Sequence, residues 1–194
     1  MRRLLALAVS LIVLPTATVL TLSNPALAFN YGVCKFASGS IKWKDATRTA
    51  GYSTAAQNAI NAWDSAANSL LTFTKVTSGA DLVVADGNFG RGFGYESIAL
   101  GPNQTNLVSN CGVDGTWINP IYAWVNTYMA DAYSVPKRQS AFAHEIGHAL
   151  GLDDSSAQSC PNIPIMQPST YPRFDVCGYT GPRPDDIDGI EVLY

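Results

Sequence analysis

Two histidines four residues apart, with a glycine three residues further on, constrain this chain more than any other feature of its sequence. The segment Ala141 to Ser156 reads AFAHEIGHALGLDDSS. Side chains at i and i+4 share one face of a helix, about one ~5.4 Å turn apart, so His144 and His148 can reach the same metal ion. Glu145, beside the first histidine, stands where a carboxylate can take a proton from water activated by that metal. Gly151 falls where the helix must stop, because glycine adopts the left-handed conformation without a Cβ penalty. The resulting turn carries Asp153 and Asp154 back toward the histidines.

The chain contains only two histidines, and both are in this motif. A third protein ligand must therefore be another residue type, and zinc accepts a carboxylate beside two histidines. Asp154 lies ten residues after His144, and Asp153 is the alternative one residue early; the spacing favours Asp154. A chance HExxH on a core or solvated helix is the competing interpretation of those five residues. Glycine and carboxylate at the correct offsets, together with the absence of any other histidine, argue against it. The expected site is one catalytic Zn2+ on His144, His148 and Asp154, with Glu145 as general base for hydrolysis of a peptide bond. A secreted zinc-binding module without proteolysis, and a zinc hydrolase of a non-protein amide, are the alternatives; the first has no chemical need of Glu145.

The segment HEIGHALGLDDSS, including Ser155 after the third ligand position, resembles the zinc motif of metzincin endopeptidases in its matrixin form. Ile165-Met166-Gln167-Pro168 resembles the methionine turn of that family, and Pro184 to Tyr194 resembles the closing helix of matrixins. Aspartate at 154 departs from matrixins and is similar to the snapalysin-type small neutral proteases of bacteria. The specific part of the resemblance runs from Phe142 to Tyr194, and upstream only the order of elements matches. It implies an α+β fold: a metzincin-like single catalytic domain with a mixed twisted sheet, an edge strand at the cleft, a helix packed on the sheet, a zinc-binding helix, a methionine turn and a C-terminal helix. It further implies protein or peptide substrates, a hydrophobic floor at Met166, and a wall formed by Gln167 to Tyr171 for the pocket after the scissile bond. In some metzincin branches a tyrosine reaches the metal, which gives Tyr171 a second role to weigh. A structural Ca2+ is implied as well, although no aspartate-rich calcium loop is evident. In matrixins an aspartate at the start of the closing helix pairs with the mature N-terminus; by residue type alone, Asp185 and Asp186 cap the positive end of that helix.

Arg2 and Arg3, an apolar run from Leu4 to Leu22 interrupted by Pro15, and the small-x-small site Ala26-Leu27-Ala28 have the form of a secretory signal peptide. A membrane anchor is the alternative, since the run approaches the ~20 residues needed to span a bilayer; Pro15 and the cleavage site argue against it. The expected organisation is a signal peptide at 1–28 and one zinc metalloprotease domain at 29–194, secreted to the extracellular side, monomeric, and free of membrane once processed. Without the two arginines of the signal, 10 basic and 15 acidic residues remain. That acidic balance disfavours nucleic acid as a partner. Cys34, Cys111, Cys160 and Cys177 form an even set in an exported chain, which points to disulfides. Of the three pairings, Cys34 with Cys111 and Cys160 with Cys177 is preferred, because the second bridge closes the loop carrying Met166. Cysteine as a zinc ligand or as a switch of latency is the functional alternative.

Upstream of the zinc helix, Ile41-Lys42-Trp43-Lys44 alternates like a strand. Thr54 and Gln57 have capping-box spacing, and Ala56, Ala59, Ile60, Trp63, Ala66 and Leu70 recur at helical intervals. Leu71 to Val76, Asp81 to Ala85 and Ile121 to Tyr128 read as strands, and Tyr95 to Leu100 as an edge strand. That edge either holds an extended peptide by strand addition or is an ordinary sheet edge. The zinc helix is expected after Ser134, with Pro136 in its first turn, Phe142, Ile146 and Ala149 toward the core, Ala141, His144 and His148 toward the cleft, and Gly147 packed against the sheet. Gly90 to Gly94 lacks the lysine of a P-loop and reads as a rim loop. Asn103-Gln104-Thr105 has the form of a glycosylation acceptor.

Overall fold

Strand β2 shows how the pattern of side chains builds the sheet: Ile41 and Trp43 are buried while Lys42 and Lys44 face solvent, the period-two alternation of a half-covered strand. A computed structural model describes residues 30–67 and 69–194; the expected signal peptide lies outside the described residues. In chain order the regular elements are β1 (Asn30–Tyr31), β2 (Ser40–Asp45), α1 (Ala50–Ala66), β3 (Thr72–Lys75), β4 (Leu82–Gly87), β5 (Ser97–Leu100), β6 (Ile121–Asn126), α2 (Thr127–Ala130), α3 (Val135–Leu150), β7 (Leu152–Asp153) and α4 (Pro184–Leu193). The main sheet has the order β3-β2-β4-β6-β5. Its first four strands run parallel, and β5 is antiparallel to β6 at the edge. The fold is therefore α+β with a five-stranded mixed sheet. All six residues of the central strand β4 are buried, as expected for a strand covered on both faces.

One face of the sheet is covered by α1 and α3, which also pack on each other. Tyr52, Ala55, Ala56, Ala59, Ile60 and Trp63 form the buried stripe of α1. Its many alanines let the helices approach closely, and the Trp63 indole donates to the Ala143 carbonyl of α3 at 2.9 Å inside the core. The start of α1 differs from the capping-box expectation. Thr54 lies within the helix, where its hydroxyl donates to the Ala50 carbonyl four residues back at 2.9 Å, and Gln57 bonds Asn61 at 3.0 Å. A threonine satisfied this way needs no cap position. The helix also ends before Leu70, and Ala66 is exposed rather than core-facing.

The zinc-motif helix α3 begins as its sequence implies: Ser134 is extended and its hydroxyl accepts the Lys137 N–H, with Pro136 in the first turn. It ends at Gly151, whose φ of 103° is a left-handed conformation open to glycine. Immediately beyond, β7 pairs antiparallel with β1, joining Asn30 to Asp153 and Tyr31 to Leu152. The start of the described chain is thus sewn to the loop after the histidines. Disulfides join Cys34 to Cys111 and Cys160 to Cys177, with Cα separations of 5.6 and 6.0 Å. The first ties the β1 segment to the loop between β5 and β6; the second closes the loop that carries Met166. Replacing Cys160 and Cys177 together by serine is expected to remove about 3 kcal/mol of stability by releasing the unfolded chain, roughly 6–12 °C in Tm. Thermal unfolding of the double variant measures it, and a change of under ~1 °C would refute the estimate.

Candidate metal centre

The last two turns of α3 aim both imidazoles at one point. His144 Nδ1 donates to the Ile165 carbonyl at 3.0 Å, and His148 Nδ1 donates to the Leu152 carbonyl at 3.0 Å. An imidazole whose Nδ1–H is engaged by a carbonyl presents its Nε2 lone pair outward. The two Nε2 atoms lie 3.1 Å apart. Asp154 Oδ1 stands 3.4 Å from His144 Nε2 and 3.5 Å from His148 Nε2. Three acceptor atoms therefore share one small triangle. For metal–ligand bonds of about 2.0–2.1 Å, the edge of a coordination tetrahedron is about 3.3–3.4 Å, so these donors fit a tetrahedral divalent ion such as zinc. Asp153 differs: its Oδ1 accepts the Asp154 N–H at 2.8 Å, closing the turn on itself.

Among the described residues, His144, Glu145 and His148 also form a group of potential ligand atoms within 4.8 Å of one another. Glu145 Oε1 is 3.9 Å from His144 Nε2, outside the compact triangle, and Asp154 is the carboxylate nearly equidistant from both histidines. Burial pushes the Glu145 carboxyl above its ordinary range, against the His148 charge, a hydrogen bond with Ser97 and the Arg173 charge. Burial, reinforced by the charges of Arg173 and His148, holds His144 well below the usual imidazole value. For His148 burial acts downward too, but the Asp154 hydrogen bond, the Glu145 charge and the Leu152 carbonyl carry it up to about 9.

Beneath the histidines lies the methionine turn. Ile165, Met166 and Gln167 are buried, and Asp186 of α4 holds their backbone: its carboxylate accepts the N–H groups of Ile165 at 2.8 Å, Met166 at 3.2 Å and Arg183 at 2.7 Å. Asp186 thus does more than cap a helix, since it fixes the carbonyl of Ile165 on which His144 depends. Burial pushes its carboxyl up to about 6, while those three N–H bonds pull it down. Gly147 faces the turn and α1, not the sheet: a Cβ there would collide with Met166 Sδ and sit 3.2 Å from Trp63 Cζ2.

A cleft of about 600 Å³ opens over the site, its lining drawn from Gly94 to Ala99, His144, Glu145, His148, Asp153, Asp154, Pro168 and Ser169. Edge strand β5 borders it directly. Of the expected wall, Pro168 and Ser169 reach the cleft, Gln167 and Thr170 are buried behind it, and Tyr171 is exposed and does not line it. Three participants gave no signal in the sequence. Arg173 is fully buried, with Nε donating to Ser140 Oγ at 3.1 Å and Nη1 to the Gln167 carbonyl. Glu96 lines the cleft and accepts hydroxyls from Tyr133 and Thr170, and Ser97 bonds Glu145. Glu96 and Ser97 stand at the start of β5 and Arg173 in a short helical turn, Tyr171–Val176, segments too short for periodicity to single them out.

The chain is similar to matrix metalloproteinase-27 of Tupaia belangeri, 31% identical over 152 residues that cover 72% of this chain. That match covers 26% of the relative, so the chain spans about a quarter of the length of the curated protein it matches. Among solved structures it is similar to the one titled "Structure of Myroilysin", at 23% identity and a TM-score of 0.43, covering 67% of this chain and 48% of that one. No protein-family profile matches. The sequence similarity to a metalloproteinase takes in most of the chain, and with it comes a coarse relation to that class of protein.

The packing around Gly147 yields a test. In an exposed helix Gly→Ala gains about 1 kcal/mol, but here the added methyl meets Met166 and Trp63, which are 1% and 0% exposed. Overpacking costs of about 1–3 kcal/mol reverse the sign. Gly147→Ala is expected to lower Tm by several degrees in a thermal melt; an unchanged or higher Tm would show that the methionine turn yields freely.

Proposed function

We propose that this chain is a secreted zinc-dependent endopeptidase in which His144, His148 and Asp154 hold one Zn2+ and Glu145 is the general base. The observation that carries it is the triangle of two Nε2 atoms and one Oδ1, with edges of 3.1, 3.4 and 3.5 Å, built by neighbours that orient each donor. Similarity to a metalloproteinase supports the same class, and the two disulfides suit an exported protein. A bound Zn2+ supplies Lewis acidity, which makes water nucleophilic near neutral pH and polarises a carbonyl.

The residues of the chain do the rest. Glu145 lies beside the donor triangle rather than in it, so its carboxylate is free to take the proton of the attacking water. Burial raises its proton affinity above that of an ordinary carboxylate, the direction that suits a group which must take up a proton and pass it on. The same oxygen then delivers the proton to the amine leaving the cleaved bond, and the base is restored. Ser97, by its hydrogen bond to Glu145, holds the base against β5. That strand pairs with β6 on one side and ends the sheet on the other, so an extended peptide can add to it by main-chain hydrogen bonds. Ordered this way, the peptide passes the base at a fixed height.

Two expected outcomes separate the roles. Glu145→Ala should keep close to one zinc per chain while turnover of a peptide substrate drops at least ~100-fold, because proton transfer is lost and metal binding is not. Zinc content by metal analysis and turnover measured on the same sample decide it; near-normal turnover in loaded protein would remove Glu145 from the mechanism. Asp154→Ala should lose zinc strongly, Asp153→Ala should retain it, and Asp154→His should recover much of the binding, since imidazole is also a good zinc donor. Zinc lost from Asp153→Ala and kept by Asp154→Ala would reassign the third ligand.

A further inference from the structure

Glu96 is a carboxylate set into the cleft wall just before β5 and pinned at both oxygens by neutral donors. Tyr133 donates to Oε1 at 2.7 Å and Thr170 to Oε2 at 2.5 Å. These hydroxyls fix its position without cancelling its charge, and a carboxylate has about four acceptor positions, so the two bonds do not use them all. Among the described residues the ion pairs involve Lys75, Lys137 and the two histidines, and none includes Glu96. The cation whose field it feels is Arg173, which is buried behind the wall, bound to Ser140 and Gln167, and shared electrostatically with Glu145, Asp154 and Asp186. No lysine or arginine lines the cleft, whereas Glu96, Glu145, Asp153 and Asp154 do. A dication offsets two of those four negative charges and leaves a surplus.

We infer that the end of the cleft between Glu96, Pro168 and Ser169 takes a lysine or arginine side chain of the substrate, with Glu96 as the specificity-determining residue. This rests on the endopeptidase reading above. A preorganised anion gains a charge-assisted hydrogen bond from an ammonium or guanidinium with no rearrangement of the wall. An apolar side chain at the same place strips water from the carboxylate and returns nothing, and an acidic one is repelled. Selection thus works by attraction and by rejection at a single residue.

The test uses the zinc-loaded chain on a mixed peptide library with cleavage sites mapped by mass spectrometry, followed by matched peptides carrying lysine, norleucine or glutamate at the position so identified. Lysine and arginine should dominate at one fixed position next to the cut. In kcat/KM, lysine should exceed norleucine by at least ~10-fold, with glutamate poorest. Glu96→Gln, which keeps an acceptor oxygen but removes the charge, should bring the lysine-to-norleucine ratio close to ~1. A wild-type ratio of one or less, or a full ratio retained in Glu96→Gln, overturns the inference. Should Glu96→Gln fail to fold, as judged by zinc content and Tm, the wild-type ratio alone decides. A library left uncut by zinc-loaded protein overturns the endopeptidase reading itself, and this inference with it.

Discussion

Everything at the candidate metal centre depends on two imidazole N–H groups finding carbonyls on segments outside their own helix. His144 is turned by the Ile165 carbonyl of the methionine turn and His148 by the Leu152 carbonyl just past Gly151. Helical spacing alone would put two histidines on one face; these bonds decide which ring nitrogen looks outward. Each carbonyl has its own anchor. Ile165 is held by Asp186 from the last helix, and Leu152 by its pairing with Tyr31 at the start of the described chain. The donor triangle is therefore a property of the assembled fold, read through two hydrogen bonds.

The same logic runs along the cleft. Its wall beyond the methionine turn is fastened from behind by Arg173, which joins Gln167 to Ser140 of the zinc-motif helix. From the front it is fastened by Glu96, which reaches from the edge strand to Thr170 and Tyr133. Buried polar groups of this kind are costly unless satisfied; here Arg173 Nε and Nη1 and both Glu96 oxygens have partners, while Arg173 Nη2 has none among the described residues. The cleft thus keeps a defined width through polar cross-ties rather than through apolar packing alone.

Much of this was legible in the chain as written. The helix over the two histidines, its serine cap and its stop at Gly151 follow from short-range rules of capping and glycine geometry, and the disulfide pairs match the pairing preferred among three because one bridge closes the loop of Met166. The strands also sit close to where alternation puts them, because Ile41 and Trp43 or Val84 and Ala123 must face one core. What was illegible is of two kinds. The start of α1 was misplaced by a turn, because Thr54 has a cap's residue type but bonds backward within the helix, and alanines on all sides blur the period. Arg173 and Glu96 were missed for a different reason: a lone charged residue looks solvated in sequence, whether in a short helical turn or beside an edge strand, and only tertiary folding brings it against Ser140 or Thr170. Gly147 shows the intermediate case, where close approach was foreseen but the partner proved to be Met166 and Trp63 rather than the sheet.

The pairing of β1 with β7 carries a consequence for how small a working version of this protein can be. Asn30 donates from its side chain to the Asp154 carbonyl at 2.6 Å, across 124 positions of sequence, and the bridge from Cys34 to Cys111 lies just beyond it. A fragment cut to the helix of the two histidines and its turn would keep His144, His148 and Asp154 yet lose the strand that seats Leu152 and the segment that seats Ile165. Its histidines would be free to choose either tautomer and any rotamer. The smallest unit able to present the triangle therefore runs from Asn30 into the final helix, and the motif has no existence as a detachable part.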